Sequence, residues 1–149
     1  MKRLNRNGFT LFEAVASIAI VAIVLTTAAI LVANGYDQSV ATSRQVDAIE
    51  VGTLIRDEIV AAATYAEVDA WLSGAAKELT VDVCDDPSSP FSCTLFTHEV
   101  DGLVYDAEVV VRFSAPTAES LLYRVVRFTV TVTYYGSRTV EIEGMVYDD

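Results

Sequence analysis

An uncharged apolar segment near the N-terminus, residues 14–36, constrains the fold of this chain more than any other feature. As a helix rising about 1.5 Å per residue it would extend about 35 Å, enough to cross the hydrocarbon core of a bilayer. Only helices and closed barrels satisfy all backbone hydrogen bonds in lipid, so the segment is predicted to be a membrane helix. A chain of 149 residues is therefore expected to form one domain plus this anchor.

Glu13 lies at the entrance of this segment, after a short leader that carries the basic residues Lys2, Arg3 and Arg6. The next basic residue is Arg44, so the same helix offers Glu13 no nearby cation. A carboxylate at the edge of the hydrocarbon is costly unless it is paired. We therefore infer that its partner belongs to another molecule. The basic leader is expected to stay on the cytoplasmic side, with the rest of the chain outside the cytoplasm.

Residues 8–13, Gly-Phe-Thr-Leu-Phe-Glu, resemble the processing motif of type IV pilins and of the pseudopilins of type II secretion. The resemblance implies that a membrane-embedded prepilin peptidase cleaves after Gly8 and methylates the new N-terminus at Phe9. It also implies that Glu13 pairs with the N-terminal amine of a neighbouring subunit during assembly. A secretory signal has the opposite order, because its apolar region precedes the cut and is lost.

The same resemblance implies an α+β, pilin-like fold in which a long N-terminal helix packs on an antiparallel β-sheet. The expected organisation is a cleaved leader (1–8), a transmembrane and assembly helix (9–36), an amphipathic helix with a connector (37–78), and an antiparallel β-sheet head with a disulfide loop (79–149). Family members often carry a helix-breaking glycine or proline where this chain has Ala22 and Ile30. This departure favours a minor pilin or a pseudopilin over a major pilin.

Residues 37–63 continue the helical periodicity, with an apolar stripe of Val51, Leu54, Ile55, Ile59 and Ala62. Gly52 is expected to be a tolerated cost of about 1 kcal/mol relative to alanine. Thr64 and Glu67 have the spacing of a capping box, which predicts a short helix in the connector. Trp71 is expected to anchor this connector to the core.

The second half of the chain is predicted to form strands at residues 79–84, 93–100, 103–113, 126–134 and 140–146. Asp101–Gly102 predicts a tight turn between two strands, and Gly136–Ser137 predicts a two-residue turn in the last hairpin. Residues 114–120 are predicted to form a loop. The alternation of apolar and polar residues favours an antiparallel sheet with one solvated face and one face covered by the long helix.

Cys84 and Cys93 are expected to form a disulfide that closes a surface loop, because the predicted topology places them in an oxidising compartment. Closing a ring of about ten residues contributes about 3 kcal/mol; two reduced thiols are the alternative. The chain has one histidine, His98, which argues against a zinc site. Asp85 and Asp86 would offer calcium ligands only if other acidic groups converged on them, and solvated loop charge is the favoured interpretation.

The net charge of −11 disfavours nucleic acid as a partner. Removal of the leader takes away three positive charges and no negative ones, which lowers the net charge to −14. A local basic patch would have to come from Arg112, Arg124 and Arg127, which are predicted to be solvated side chains on strands. The sequence contains no glycine-rich phosphate loop and no recognisable catalytic constellation, so no enzymatic activity and no cofactor is expected.

The resemblance implies a structural, minor subunit of a type IV pilus or pseudopilus whose partners are the prepilin peptidase and other pilin or pseudopilin subunits. The subunit would lie in the inner membrane as a single-pass protein, with its head outside the cytoplasm, before it joins a fibre. The alternatives are a pseudopilin of type II secretion and a tip adhesin or ligand-binding minor pilin. A signal-anchored enzyme is the least favoured alternative.

Overall fold

The computed structural model describes residues 10–100, 102–104 and 108–148. The chain divides into two compact units, one that ends at Val40 and one that comprises Ala41–Asp149. Helix α1 covers Leu11–Ala62 and contributes to both units. Its N-terminal part is long and apolar enough to cross a membrane.

The head contains a four-stranded antiparallel sheet, which confirms the α+β, pilin-like architecture. Its strands in spatial order are β1 (Lys77–Leu79), β4 (Val109–Phe113), β5 (Val125–Tyr134) and β6 (Arg138–Tyr147). A separate two-stranded hairpin pairs β2 (Glu99–Val100) with β3 (Leu103–Val104). Two short helices, α2 (Tyr65–Leu72) and α3 (Ala118–Tyr123), and a 3-10 helix (Cys93–Phe96) connect these elements.

The buried stripe of α1 follows the predicted period for most of its length. Its buried apolar residues are Ala41, Ala48, Val51, Ile55 and Ile59. Leu54 and Ala62 were predicted to share this stripe, but both are exposed. A turn of 3.6 residues places Leu54 beside the line from Val51 to Ile55, so its side chain points away from the sheet.

The alternation predicted for the residues of β4 and β5 is confirmed. In β5 the buried residues are Val126, Phe128, Val130, Val132 and Tyr134, and in β4 they are Val109, Val111 and Phe113. Gly52 of α1 approaches this layer closely: a Cβ there would lie 2.6 Å from Ile142 Cδ1 and 3.3 Å from Val132 Cγ2. Gly52 is therefore a point of close contact between α1 and the sheet, rather than only a tolerated cost to the helix.

Two predicted strands are wrong over most of their length. The strand expected at residues 79–84 is the shorter and earlier β1, because residues 81–85 turn into the disulfide loop. The strand expected at 93–100 begins instead as a 3-10 helix and is extended only at β2. Within the long strand expected at 103–113, Tyr105 and Ala107 lie outside the described residues.

Two predicted connections also differ from the structure. Residues 114–120 were expected to form a loop, but α3 begins at Ala118. The last hairpin has three linking residues instead of two, since Tyr134 pairs with Arg138. Tyr135 and Gly136 have φ values of 33° and 83°, and this left-handed backbone turns the chain one residue earlier than the Gly-Ser pair suggested.

Candidate assembly segment and head surface

Thr10 begins the described part of the predicted processing motif and caps α1. Its side-chain oxygen accepts a hydrogen bond from the Glu13 N–H at 3.3 Å, and its carbonyl accepts one from the Ala14 N–H at 3.1 Å. Threonine is a favoured N-cap because its hydroxyl satisfies a donor that the helix itself leaves free. The motif therefore places Glu13 in the first turn of the helix. Gly8 and Phe9 lie outside the described residues, so the cleavage and methylation sites stay predictions.

Glu13 is exposed and forms no ion pair with the described residues. The next described cation along the chain is Arg44, in the second compact unit. Arg44 is itself paired with Asp47, at 3.5 Å. The positive end of the helix dipole favours an acid in the first turn, but it does not supply a full positive charge. Among the described residues Glu13 therefore has no partner cation, which is consistent with a partner from another molecule.

The serine and threonine hydroxyl groups of the apolar segment bond back to the helix. Ser17 donates to the Glu13 carbonyl at 2.7 Å, and Thr26 and Thr27 donate to carbonyls one turn earlier at 2.8 Å. These donors therefore need no water, which suits a segment that lies in lipid. The helix also continues through Ala22 and Ile30, without a break.

The connector contains the predicted capping box. Glu67 Oε2 accepts hydrogen bonds from the Thr64 N–H and from the Thr64 hydroxyl, both at 2.8 Å. These two bonds, the backbone one first, lower the pKa of Glu67 below its ordinary value. Trp71 packs edge-on against Phe91 and Phe113, with ring centroids 5.7 and 5.3 Å away. The predicted role of Trp71 as an anchor is confirmed.

The predicted disulfide between Cys84 and Cys93 is confirmed, with the two Cα atoms 5.1 Å apart. Phe91 belongs to the loop that the disulfide closes, and its ring stacks on that of Phe113 with the centroids 5.2 Å apart. This contact attaches the disulfide loop to the core. Asp86 accepts hydrogen bonds from the hydroxyl and the N–H of Ser88, which lower its pKa.

The suggested calcium site gains no support from the part of the chain that the structure describes. There, the potential ligands that converge are Cys84, Asp85 and Cys93. Both sulfur atoms belong to the disulfide and offer no thiolate, so this cluster does not fit a metal. Asp148, an acidic group near the end of the chain, pairs with Arg124.

The three clustered arginines differ in their surroundings. Arg112 pairs with Glu78 at 2.9 Å, and Arg124 pairs with Asp148. Arg127 has an exposed side chain and lines a cleft beside α3, which the sequence did not reveal. His98, whose being the one histidine argued against a zinc site, lies with Nε2 3.2 Å from Oε2 of Glu58 in α1. No feature of the local sequence indicated either the cleft or this contact.

Residues 3–29 match the family model of the prokaryotic N-terminal methylation motif. This motif is typical of the signal peptides of type IV pilins, and the architecture behind it is pilin-like. No curated protein and no solved structure matches the chain. The motif supports a precursor of the pilin or pseudopilin type, with the processing by a prepilin peptidase and the assembly with other pilins that this implies. The apolar helix supports single-pass anchoring in a membrane.

Proposed function

We propose that this chain is a minor structural subunit of a type IV pilus or pseudopilus. It enters the inner membrane as a prepilin, is cleaved after Gly8, is methylated at Phe9 and is incorporated through Glu13. The observation that carries the proposal is the match at residues 3–29 together with the position of Glu13. This carboxylate begins an apolar helix whose first described cation, Arg44, already has a partner.

The mechanism follows from the charges that processing creates. Cleavage after Gly8 frees an amine at Phe9, a new positive charge near the membrane surface. Glu13 lies four residues further, about 6 Å along a helix. In a medium of low dielectric, attraction between an amine and a carboxylate is much stronger than in water, and either charge left alone is heavily penalised. Pairing between neighbouring subunits would therefore fix their register along the fibre.

Two features support a minor role. Helix α1 is continuous through Ala22 and Ile30, where family members often have glycine or proline. The processed chain would carry a net charge of −14, since the leader removes three positive charges from a total of −11. Many identical copies of such a chain in contact would repel one another. If subunits of other sequence separate the copies in the fibre, the repulsion between them is smaller, which fits a minor subunit.

The mature N-terminus tests the processing step. Mass spectrometry of the protein from its own cells is expected to show a chain that begins at Phe9 with one added methyl group. A Gly8→Val variant is expected to remain a full-length precursor, because the bulky side chain blocks the cut. A wild-type chain that still begins at Met1 would refute the assigned cleavage site.

Glu13→Ala tests the assembly step. The variant is expected to reach normal levels in the membrane, whereas its amount in sheared fibres falls at least tenfold, because the partner amine is left unpaired in lipid. Asp37→Ala is the matched control, since Asp37 is the next acid along the same helix, and its incorporation is expected to stay normal. Normal incorporation of Glu13→Ala would contradict the pairing.

A further inference from the structure

The surface of the head contains a cleft of about 460 Å³ between α3, the loop before it and strands β5 and β6. Its size falls within the range of small-molecule sites. Its lining includes Pro116, Tyr123, Val125 and Met145, which offer apolar surface. Tyr123 and Met145 are 69% and 53% exposed, so a ligand in the cleft would cover apolar surface that now faces water.

Arg127 lines the same cleft and is distinct among the described cations. Six other Lys and Arg side chains of the described residues are engaged: Arg44, Arg56, Arg112 and Arg124 pair with carboxylates, and Lys77 and Arg138 lie over aromatic rings. Within the described residues Arg127 alone has neither kind of partner for its guanidinium. Acids outnumber bases 21 to 10 in this chain, which makes an unpaired guanidinium unexpected.

The polar neighbours of Arg127 narrow the ligand class. Thr117 and Ser120 are occupied with each other: the Thr117 N–H donates to Ser120 Oγ at 2.7 Å, and the Ser120 N–H donates to Thr117 Oγ1 at 3.1 Å. Glu119 lines the cleft and Glu143 lines an adjoining one, and neither pairs with Arg127. These carboxylates repel ligands with several negative charges. Among anionic ligands, one with a single carboxylate can still contact the guanidinium of Arg127 and is repelled least by Glu119 and Glu143.

We propose that this cleft binds a small organic acid that carries one carboxylate on an apolar or planar group. Arg127 holds the carboxylate, because the planar fork of a guanidinium matches both carboxylate oxygens. Tyr123 and Met145 cover the apolar part. The site goes beyond fibre assembly and does not involve Glu13, so either function stands if the other fails.

Binding is tested on the purified full-length protein in a non-ionic detergent, with N-acetyl-L-phenylalanine as the probe and the backbone NMR signals of residues 114–127 as the readout. We expect saturable shifts. The uncharged amide of the same probe keeps the ring and lacks the carboxylate, so its affinity is expected to be about tenfold lower, because a hydrogen bond to a charged group is lost. Equal affinity for the acid and the amide, or no saturation, would overturn the proposal.

Two variants assign the contact to Arg127. Arg127→Gln is expected to lower the affinity for the acid about tenfold, to the level of the amide. Arg138→Gln removes an exposed arginine outside the cleft and is expected to leave the affinity unchanged. Thermal unfolding of both variants is the control for folding, and both are expected to melt cooperatively like the wild type. Equal losses in the two variants would indicate attraction by overall charge and would count against the site.

Assembled fibres provide a separate test of whether the cleft stays open. We expect the acid to bind fibres that contain the protein with the affinity measured for the free subunit. If the free subunit binds and the fibre does not, a neighbouring subunit fills the cleft, and a small ligand is the wrong occupant.

Discussion

Gly144 of β6 lies opposite Phe128 of β5, and the phenyl ring takes the space where a side chain at position 144 would stand. A Cβ there would come within 2.6 and 2.7 Å of two ring carbons, Cε2 and Cε1, and still closer to Cζ. Phe128 is only 1% exposed and also packs on Phe113, so the ring has little room to move. The absence of a side chain at Gly144 is thus a requirement of the core.

Gly144→Ala is expected to destabilise the head by about 1–3 kcal/mol, the usual cost of overpacking a core. Urea unfolding of the detergent-solubilised protein measures the change. Glu143→Ala, at the next and exposed position of the same strand, is expected to stay within about 0.5 kcal/mol of wild type. Equal stability of Gly144→Ala and wild type would show that the ring of Phe128 is free to shift.

Helix α2 depends at its start on the contact between Glu67 and Thr64. These hydrogen bonds lower the pKa of Glu67, so the folded state favours the ionised carboxylate. A group with a lowered folded pKa stabilises the protein above its unfolded pKa and loses that contribution as the pH falls through the folded value. The contribution of Glu67 is therefore complete at neutral pH and is lost as the pH falls from the ordinary glutamate pKa of 4.5 through the lower pKa of the folded state.

Glu67→Ala is expected to lower the melting temperature at pH 7, and the gap from wild type is expected to narrow as the pH falls below about 4.5. Glu50→Ala, which removes an exposed acid from the middle of α1, is the control and is expected to show no such narrowing. Thermal unfolding across pH 3–7 gives the comparison. A gap that widens in acid would contradict the assigned role.

Two features fix the disulfide loop: the bond between Cys84 and Cys93 closes it, and Phe91 packs in the core. Replacement of both cysteines by serine is expected to lower the free energy of unfolding by about 3 kcal/mol, because a ring of about ten residues no longer limits the unfolded chain. A reducing agent is expected to remove most of the difference between wild type and variant. A difference that persists under reduction would attribute the loss to packing of the serines.

Local sequence patterns correctly predicted the elements whose buried face or starting point depends on residues close together in the sequence. The alternation along β5 gave the right face for Phe128 and its neighbours, and the capping box at Thr64 gave the start of α2. The predictions were wrong where the local structure depends on contacts between residues distant in the sequence or on an unusual backbone conformation. Tyr135 adopts a left-handed backbone that its residue type does not suggest. The short helix α3 has no buried residue, so it leaves no apolar period in the sequence.

At the scale of the whole molecule, the charge of the chain determines which partners it can approach. Among the described residues, every Lys and Arg side chain except Arg127 pairs with a carboxylate or lies over an aromatic ring. We expect no retardation of duplex DNA by the purified protein even at low salt, where electrostatic binding is strongest. Gel retardation provides the measurement. Binding that falls steeply with salt, and that disappears when Arg112 and Arg127 are both replaced by glutamine, would contradict this expectation.

The two candidate sites differ in how far the sequence reveals them. The assembly segment is contiguous, because the leader, Gly8, Phe9 and Glu13 lie within thirteen residues. The cleft is assembled from α3, β5 and β6, whose juxtaposition exists only after folding. In the sequence, Arg127 is one of three similar arginines. Only the structure separates it from Arg112 and Arg124, by showing that those two are paired.

Strand β6 pairs with β5 along ten residues, up to the contact between Val125 and Tyr147. The sheet therefore cannot close until Tyr147 has left the ribosome, whereas the apolar helix is translated first. At about 5–20 residues per second, the stretch from Val40 to Tyr147 takes roughly 5–20 s to synthesise. During that interval the apolar helix has already been synthesised while β5 still lacks its neighbour, so the segment able to enter a membrane is complete before the sheet can form.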